Sequence, residues 1–302
     1  MSISAFSGPL ISFGQNPYSL EYNPDIGPSL FTNGCGLLDP RPFYTYVPGQ
    51  ASGALTAGFL NTSNILTINQ VPSTLSATNI ATSQTPVSGT AVTLTAGTGV
   101  TGSTTITNAS TGRSVTGLLA LDGAAGLVSF GSSGSIQIWD PTKALSRNVR
   151  ITTATSDVAV YTVVGYDIYG YPMSEAITAN GATTVSGKKA FKYIASVTPV
   201  GTVGATITVG TGDVFGFPMY SATWAAGAVA DVSIVWNGAV ITASTGYLAG
   251  VTTSPATTIT GDVRGTYAVQ SASDATKRFL VTQSPTPANL SSVTGLFGVT
   301  QA

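Results

Sequence analysis

"GYDIYGYPMSEAITANGATTVSGKKAF", residues 165 to 191, alternates apolar and polar residues on both sides of an Asn180-Gly181 pair. Alternation with a period of two places successive side chains on opposite faces of a strand. Asn-Gly favours a two-residue hairpin, because a type I′ turn needs positive φ at both central positions. The stretch therefore predicts two antiparallel strands joined at Asn180-Gly181, and Asn237-Gly238 predicts a second hairpin of the same kind.

The preceding run, "DVAVYTVV" at residues 157 to 164, has the same period. One face carries Val158, Val160, Thr162 and Val164, and the other carries Ala159, Tyr161 and Val163. Both faces are largely apolar, whereas a strand with one solvated face usually alternates apolar and polar residues. The run therefore predicts an inner strand of a sandwich, or a strand that a partner covers.

Short strand patterns continue along most of the chain. Thr and Val, which favour strands, are abundant, whereas the helix-forming residues Glu, Lys, Arg and Met are scarce. Runs such as "NILTINQV" and "TAVTLTAG" predict a Thr/Ser/Gly-rich β module over residues 51–130, and "DVSIVWNGAVI" and "RFLVTQ" belong to a predicted main β-sandwich domain over residues 131–302. The predicted fold is all-β, with β-sandwich or jelly-roll-like modules.

An extended N-terminal arm is predicted over residues 1–50. Its six prolines from position 17 onward remove backbone donors and disfavour helix in the residues before them. Aromatic residues lie between these prolines and are too apolar for a solvated tail, so we expect them to anchor the arm on a partner surface. The candidate anchors are Tyr18, Tyr22, Phe31, Phe43, Tyr44 and Tyr46.

Charge is sparse and nearly balanced. Eleven Lys and Arg stand against twelve Asp and Glu, which gives a net charge of −1 and no basic field for nucleic acid. No charged residue occurs from Pro42 to Gly112, whereas a soluble surface usually carries charge on about a quarter to a third of its positions. Such a surface is better suited to packing against a partner.

Membrane insertion, secretion and disulfides are not expected. Mean hydropathy is +0.31, yet no apolar run approaches the roughly twenty residues of a spanning helix. The N-terminus has no Lys or Arg ahead of its apolar residues, so we expect synthesis in a cytoplasm without a secretory signal. Cys35 is the single cysteine, so stability must come from burial and assembly rather than from an intrachain disulfide.

Catalytic chemistry has little support in the sequence. The chain lacks histidine, the usual general base of nucleophile systems and the commonest transition-metal ligand. Asp167 and Glu175 flank one predicted turn, and we interpret them as turn caps that keep an edge soluble rather than as paired catalytic acids. A calcium site built from oxygen ligands remains an alternative, but no dense Asp/Asn cluster is present. We predict no catalytic residues, no cofactor and no metal site.

Two glycine motifs resemble nucleotide-binding loops without meeting their requirements. The G-x-G-x-x-G match from Gly97 to Gly102, with Asp122 downstream, is followed by "STTITNAS", a poor helix, although a dinucleotide site needs a helix there. In "GATTVSGKKA" the glycine spacing is one residue too long and Lys189 replaces the Ser or Thr that holds magnesium. We interpret the first as turn glycines, and Lys188, Lys189 and Lys192 as a solvated rim. Trp139, Trp224 and Trp236 are interpreted as core residues rather than as a sugar-binding platform.

Three segments carry a family resemblance: "VVGYDIYGYPMSEAITANGATTVSGKKAFKYIASVTPV", "VGTGDVFGFPM" and "TTITGDVRGTYAVQSASDATKRFLVT". They resemble virion proteins from the head gene cluster of tailed bacteriophages, and the resemblance covers roughly Ser135 to Thr282, about half the chain. It implies a capsid decoration (cement) protein, made in the host cytoplasm, that binds the outside of the major capsid protein shell as a homotrimer. It brings no catalytic residues with it.

Two other hypotheses remain open at this point. A tail or fibre component that binds a bacterial surface polysaccharide would need exposed aromatic side chains. A β-fold depolymerase would need a placed pair of carboxylates. We expect decoration of the capsid exterior, with residues 1–50 as a clamp across neighbouring subunits, and stabilisation of the head through many repeated contacts.

Overall fold

The structure is a computed structural model, and its described part is built from β-strands without helices. It describes residues 66–108, 111–123, 127–130, 136–139, 142–204, 206–218, 220–221, 224, 232–251 and 261–283. The all-β class predicted from the sequence is confirmed. The predicted arm and its six aromatic anchors lie outside the described residues.

Seventeen strands are present in these residues. They are β1 (Leu66–Gln70), β2 (Ser76–Gln84), β3 (Val100–Thr107), β4 (Ser114–Leu121), β5 (Leu127–Phe130), β6 (Ile136–Trp139), β7 (Arg147–Thr153), β8 (Val160–Tyr166), β9 (Pro172–Thr178), β10 (Thr184–Ser186), β11 (Tyr193–Val200), β12 (Ile207–Gly216), β13 (Val232–Trp236), β14 (Ala239–Val240), β15 (Tyr247–Ala249), β16 (Gly265–Ala268) and β17 (Phe279–Gln283).

The strands form four antiparallel sheets. A five-stranded sheet has the order β3-β4-β11-β8-β9, and a six-stranded sheet has the order β10-β7-β12-β16-β15, with β2 also paired to β12. The order β1-β17-β13-β14 makes a four-stranded sheet, and β5 pairs with β6. No helix in the described residues is long and apolar enough to cross a membrane.

The main core lies between the inner faces of the five-stranded and six-stranded sheets. Tyr161 and Val163 of β8 pack in one apolar cluster with Val149 and Ile151 of β7 and Val209 of β12, and all five are fully buried. Burying one such aliphatic side chain contributes about 1.5–3 kcal/mol, so this cluster is a principal source of stability. The inner face of β8 is the face predicted to carry Ala159, Tyr161 and Val163.

A second, aromatic core joins β12 to the four-stranded sheet. The ring of Phe215 lies 4.7 Å from that of Phe279 and 5.9 Å from that of Trp236, measured between centroids. Trp236 is buried, as expected of a core residue. Trp224 packs on Tyr247 at 5.6 Å, so the described tryptophans serve packing, and the side chain of Trp139 lies outside the described residues.

Strands on the two sides of residue 130 share sheets. β1 pairs with β17, β2 pairs with β12, and β4 pairs with β11. Hydrogen-bonded ladders therefore connect the described strands of region 51–130 with those of region 131–302. Turn signals along the chain are local, so they locate the strands without specifying these distant partners.

One of the two predicted hairpins is present and the other is wrong. Asn237 and Gly238 have φ values of +51° and +84° and connect Trp236 directly to its partner Ala239, as a type I′ turn requires. After Asn180-Gly181, in contrast, β10 pairs with β7 and not with β9. Gly181 has a φ of +65°, but its N–H donates to the carbonyl of Asp157, so the turn leads the chain from one sheet to the other.

Candidate functional site

The outward side of β8 and of its neighbour β11 carries exposed valines. We call it the valine face and define it as Val158, Val160, Thr162, Val164, Thr198 and Val200. Val158 is 64% exposed and Val200 is 57% exposed. The register of β8 with β11 places Val160 opposite Val200 and Thr162 opposite Thr198, so these side chains form one continuous surface. The face predicted to carry Val158, Val160, Thr162 and Val164 is therefore the outward one, and Val158 and Val164 are exposed.

The valine face carries no charge. β8 and β11 contain no charged residue, and Glu175, the one charged residue of β9, is buried. A soluble surface normally carries charge on about a quarter to a third of its positions. The polar groups on this side of the sheet are hydroxyls. They belong to Thr162 and Thr198 and to the neighbouring Ser174, Thr178 and Ser196.

The apolar surface extends beyond the ends of the strands. The N–H of Gly89 donates to the carbonyl of Pro199 at 2.7 Å, and the N–H of Gly201 donates to Oγ of Ser88 at 3.1 Å. These bonds hold the 87–89 loop at the end of β11, where Val87 is exposed. The valine face thus ends in a rim with a further exposed apolar residue.

About half of the charged residues in the described part are buried. The buried charged residues are Asp122, Arg147, Asp157, Asp167, Glu175, Lys189, Lys192, Asp262 and Arg264. Burial of a charge is tolerated only with close partners, so these residues form specific clusters. These buried charges therefore stabilise the interior, and no charged residue belongs to the valine face.

Arg147 is the centre of the first cluster. Its Nη1 lies 3.1 Å from Oδ2 of Asp122, its Nη2 lies 2.8 Å from Oδ1 of Asp213, and its Nε donates to the carbonyl of Gly212 at 2.8 Å. Nη1 also donates to the carbonyl of Ser73 at 2.9 Å. The planar, forked guanidinium of Arg147 therefore connects β7 with β12 and with the loops that contain Asp122 and Ser73.

The second cluster surrounds the passage from β10 to β11. We call Asp167, Glu175, Lys189, Asp262 and Arg264 the crossover cluster. Glu175 accepts backbone N–H bonds from Lys188 and Lys189, the latter at 2.9 Å. Asp262 accepts from the N–H of Ala190 at 3.0 Å and from the N–H of Arg264 at 2.9 Å. Nη1 of Arg264 lies 2.8 Å from Oδ2 of Asp167.

Burial changes the ionisation of this cluster. It raises the pKa of Glu175 from 4.5 to about 7, against the opposing effect of the two backbone donors. Burial likewise raises the pKa of Asp262 and lowers the pKa of Lys189. Each shift favours the neutral form, because a low-dielectric interior destabilises charge.

The predicted solvated rim of lysines is wrong for two of its three members. Lys188 is exposed, but Lys189 and Lys192 are fully buried. Nζ of Lys192 donates to the carbonyls of Leu121 at 2.8 Å and Leu145 at 3.0 Å, which compensates for the loss of water. Sequence statistics place lysine at the surface, and no periodic pattern in "SGKKAFK" indicated otherwise.

The predicted turn caps are partly confirmed. Oδ1 of Asp167 accepts the N–H of Tyr169 at 2.8 Å and that of Tyr171 at 3.0 Å, within the turn between β8 and β9. Both Asp167 and Glu175 are buried, however, so they do not keep an edge soluble. The burial of Glu175 could have been predicted, because the alternation of β9 places it on the same face as the inward residues Met173 and Ile177.

Neither glycine motif opens a helix. Gly99, with a φ of +79°, leads directly into β3, so the dinucleotide geometry is missing. In the second motif a phosphate would need the N–H groups of Lys188 and Lys189, but both donate to the carboxylate of Glu175. Across the described ranges, no group of three or more Cys, Asp or Glu is placed to hold a metal ion. Comparisons with protein-family models, with curated proteins and with solved structures found no match to this chain.

Proposed function

We propose that this chain is a tailed-phage capsid decoration (cement) protein that binds the outer surface of the major capsid shell. The observation that carries the proposal is the valine face, an exposed sheet surface without charged residues. The all-β fold and the resemblance of residues 135–282 to phage head proteins support it.

The physical properties of the face suit a permanent interface. The centres of protein interfaces are depleted of charged residues, as this face is. Its side chains are mostly β-branched and stand on a hydrogen-bonded sheet, so docking orders few rotamers and loses little entropy. Repetition of the same contact around a shell then multiplies a modest affinity per copy.

The proposal includes a trimer in the virion and the N-terminal arm as a further contact. The alternative, polysaccharide binding by a tail component, would use exposed aromatic side chains. Among the aromatic side chains that the structure describes, all are buried or half-buried. Binding of the valine face to the shell requires no residue with a catalytic role.

The experiment is rebinding to capsids from which the protein has been stripped. Purified protein is sized by light scattering, added back in increasing amounts, and measured by co-sedimentation. We expect a trimer that saturates at a fixed ratio to the capsid protein and raises the temperature at which heads burst. A monomer that leaves capsids unoccupied and binds purified cell-surface polysaccharide would contradict the proposal and favour the tail alternative.

A further inference from the structure

Two Asn-Gly pairs of this chain lie in exposed turns but differ in how the glycine nitrogen is held. Asn180 and Asn237 are both exposed. The N–H of Gly181 donates to the carbonyl of Asp157 at 2.9 Å. The N–H of Gly238, in contrast, has no hydrogen-bond acceptor among the residues that the structure describes. The backbone nitrogen of Gly238 is therefore the more available of the two.

The peptide group of the first pair is held at its other end as well. The carbonyl of Asn180 accepts a hydrogen bond from Oγ1 of Thr183 at 2.7 Å. Rotation of this peptide group would break that bond and the bond to Asp157. The peptide group between Asn237 and Gly238 makes no hydrogen bond within the described part of the chain, so its rotation breaks none there.

We propose that Asn237 is a site of spontaneous deamidation and that hydrogen bonds protect Asn180 from the same reaction. The backbone nitrogen of Gly238 loses its proton to solvent base and attacks Cγ of Asn237, which closes an imide ring. The bond from Cγ to the side-chain nitrogen breaks, and ammonia leaves. Water then opens the ring at either carbonyl carbon and gives aspartate, or isoaspartate in which the main chain runs through Cγ. The reaction needs no oxidant, reductant or cofactor.

The local chemistry of an Asn-Gly pair favours this ring closure. The nucleophile and the electrophile belong to adjacent residues, so the reaction is intramolecular. Glycine has no Cβ to hinder its nitrogen, and its backbone reaches conformations that other residues avoid. A Cβ placed on Gly238 would have no neighbour within 4 Å, so the surroundings leave this turn open. Both pairs have the same two residues, and the difference between them therefore comes from the fold.

The products would change the end of a hairpin. Asn237 and Gly238 connect β13 directly to β14. Isoaspartate adds one main-chain atom to this connection, so the type I′ turn can no longer close in register. We expect the N–H of Ile241, which donates to the carbonyl of Ile234 at 2.9 Å, to exchange faster with solvent. Either product also adds one negative charge to a chain whose net charge is −1.

The test is peptide mapping by mass spectrometry after the folded, full-length protein has been incubated at mildly alkaline pH. We expect Asn237 to convert to aspartate and isoaspartate at least about tenfold faster than Asn180, since Asn180 must first lose two hydrogen bonds. Protein unfolded in guanidinium chloride is the control, and there the two pairs should react at similar rates. This inference does not depend on binding to a shell.

Two results of this comparison would overturn the proposal. One is conversion of Asn180 in the folded protein at a rate equal to or above that of Asn237. The other is an Asn237 that stays intact in the folded protein while it reacts in the unfolded one.

Two variants test the cause and the effect separately. Thr183→Val removes the bond to the carbonyl of Asn180 at an exposed position, so Asn180 should react about two- to tenfold faster. An unchanged rate would overturn this account of its protection. Asn237→Gln keeps a side-chain amide but needs a larger ring, so we expect no conversion and no faster exchange at Ile241 after the same incubation. Equal acceleration of that exchange in Asn237→Gln and wild type would overturn the structural effect.

Discussion

Arg147 and Asp213 join neighbouring strands through a partly buried ion pair, in which Nη2 of the arginine lies 2.8 Å from Oδ1 of the aspartate. The same guanidinium pairs with Asp122 at 3.1 Å. The arrangement depends on every partner being present, because a buried charge without its partner is strongly destabilising.

Replacement of the central arginine should therefore be costly. Arg147→Met leaves Asp122 and Asp213 without their cation, and we expect the free energy of unfolding to fall by about 3–5 kcal/mol. Arg278→Met is the matched control, since Arg278 is exposed and makes a single bond to Asn69, and it should change stability by less than about 0.5 kcal/mol. Urea titration of both variants measures the difference, and equal losses would contradict the role of Arg147.

Stability should depend on pH through Glu175. Burial raises the folded-state pKa from 4.5 to about 7, so the fold favours the protonated acid. That contribution is fully present below pH 4.5, is lost as the pH rises to about 7, and amounts to roughly 3 kcal/mol. Lys189 and Asp262 lie near Glu175 and also titrate, so the pH dependence of wild type alone does not isolate Glu175. A variant without the Glu175 carboxyl group is needed for comparison.

Glu175→Gln is that variant. The substitution removes one of the two oxygen acceptors, so at low pH we expect the free energy of unfolding to be lower than that of wild type by about 1 kcal/mol. It also removes the titrating group, so between pH 4.5 and 7 the free energy of unfolding should decline less than in wild type. Denaturant midpoints across this range measure the two slopes. Parallel curves for wild type and variant would show that Glu175 does not titrate in the folded protein.

The described elements show how far local sequence patterns reach. The alternation in "DVAVYTVV" correctly predicted which residues share a face of β8, because side-chain direction follows directly from strand period. It did not predict which of the two apolar faces is buried. Asn237-Gly238 formed its hairpin since Trp236 and Ala239 can pair locally. Asn180-Gly181 has the same turn chemistry, yet distant bonds to Asp157 and Thr153 direct the chain to another sheet.

Local sequence patterns could not predict which charged residues are buried. The burial of Lys189 depends on Glu175 and Asp262, which approach it only after two sheets have packed. Residue-by-residue tendencies place lysine in water, and the compensating partners come from distant segments. The sequence analysis identified apolar residues of the valine face on β8. It could not predict their exposure, because exposure depends on which sheet packs against the other side of the strand.

Shell binding through an uncharged face should resist salt. At about 1 M salt the Debye length is only about 3 Å, so contacts between charges are screened while apolar contacts persist. We therefore expect occupancy of stripped capsids to stay unchanged between low salt and about 1 M sodium chloride. A steep loss of co-sedimenting protein over this range would indicate an electrostatic interface instead.

The most direct test of the docking account compares three single substitutions in the rebinding assay. Val158→Asp and Val200→Asp each place a charge on the valine face, whereas Val240→Asp places one at an equally exposed valine in β14, at 66% exposure against 64% for Val158. If the valine face contacts the capsid, the first two variants lose occupancy at least tenfold and Val240→Asp binds like wild type. Equal occupancy by all three folded variants would contradict the account.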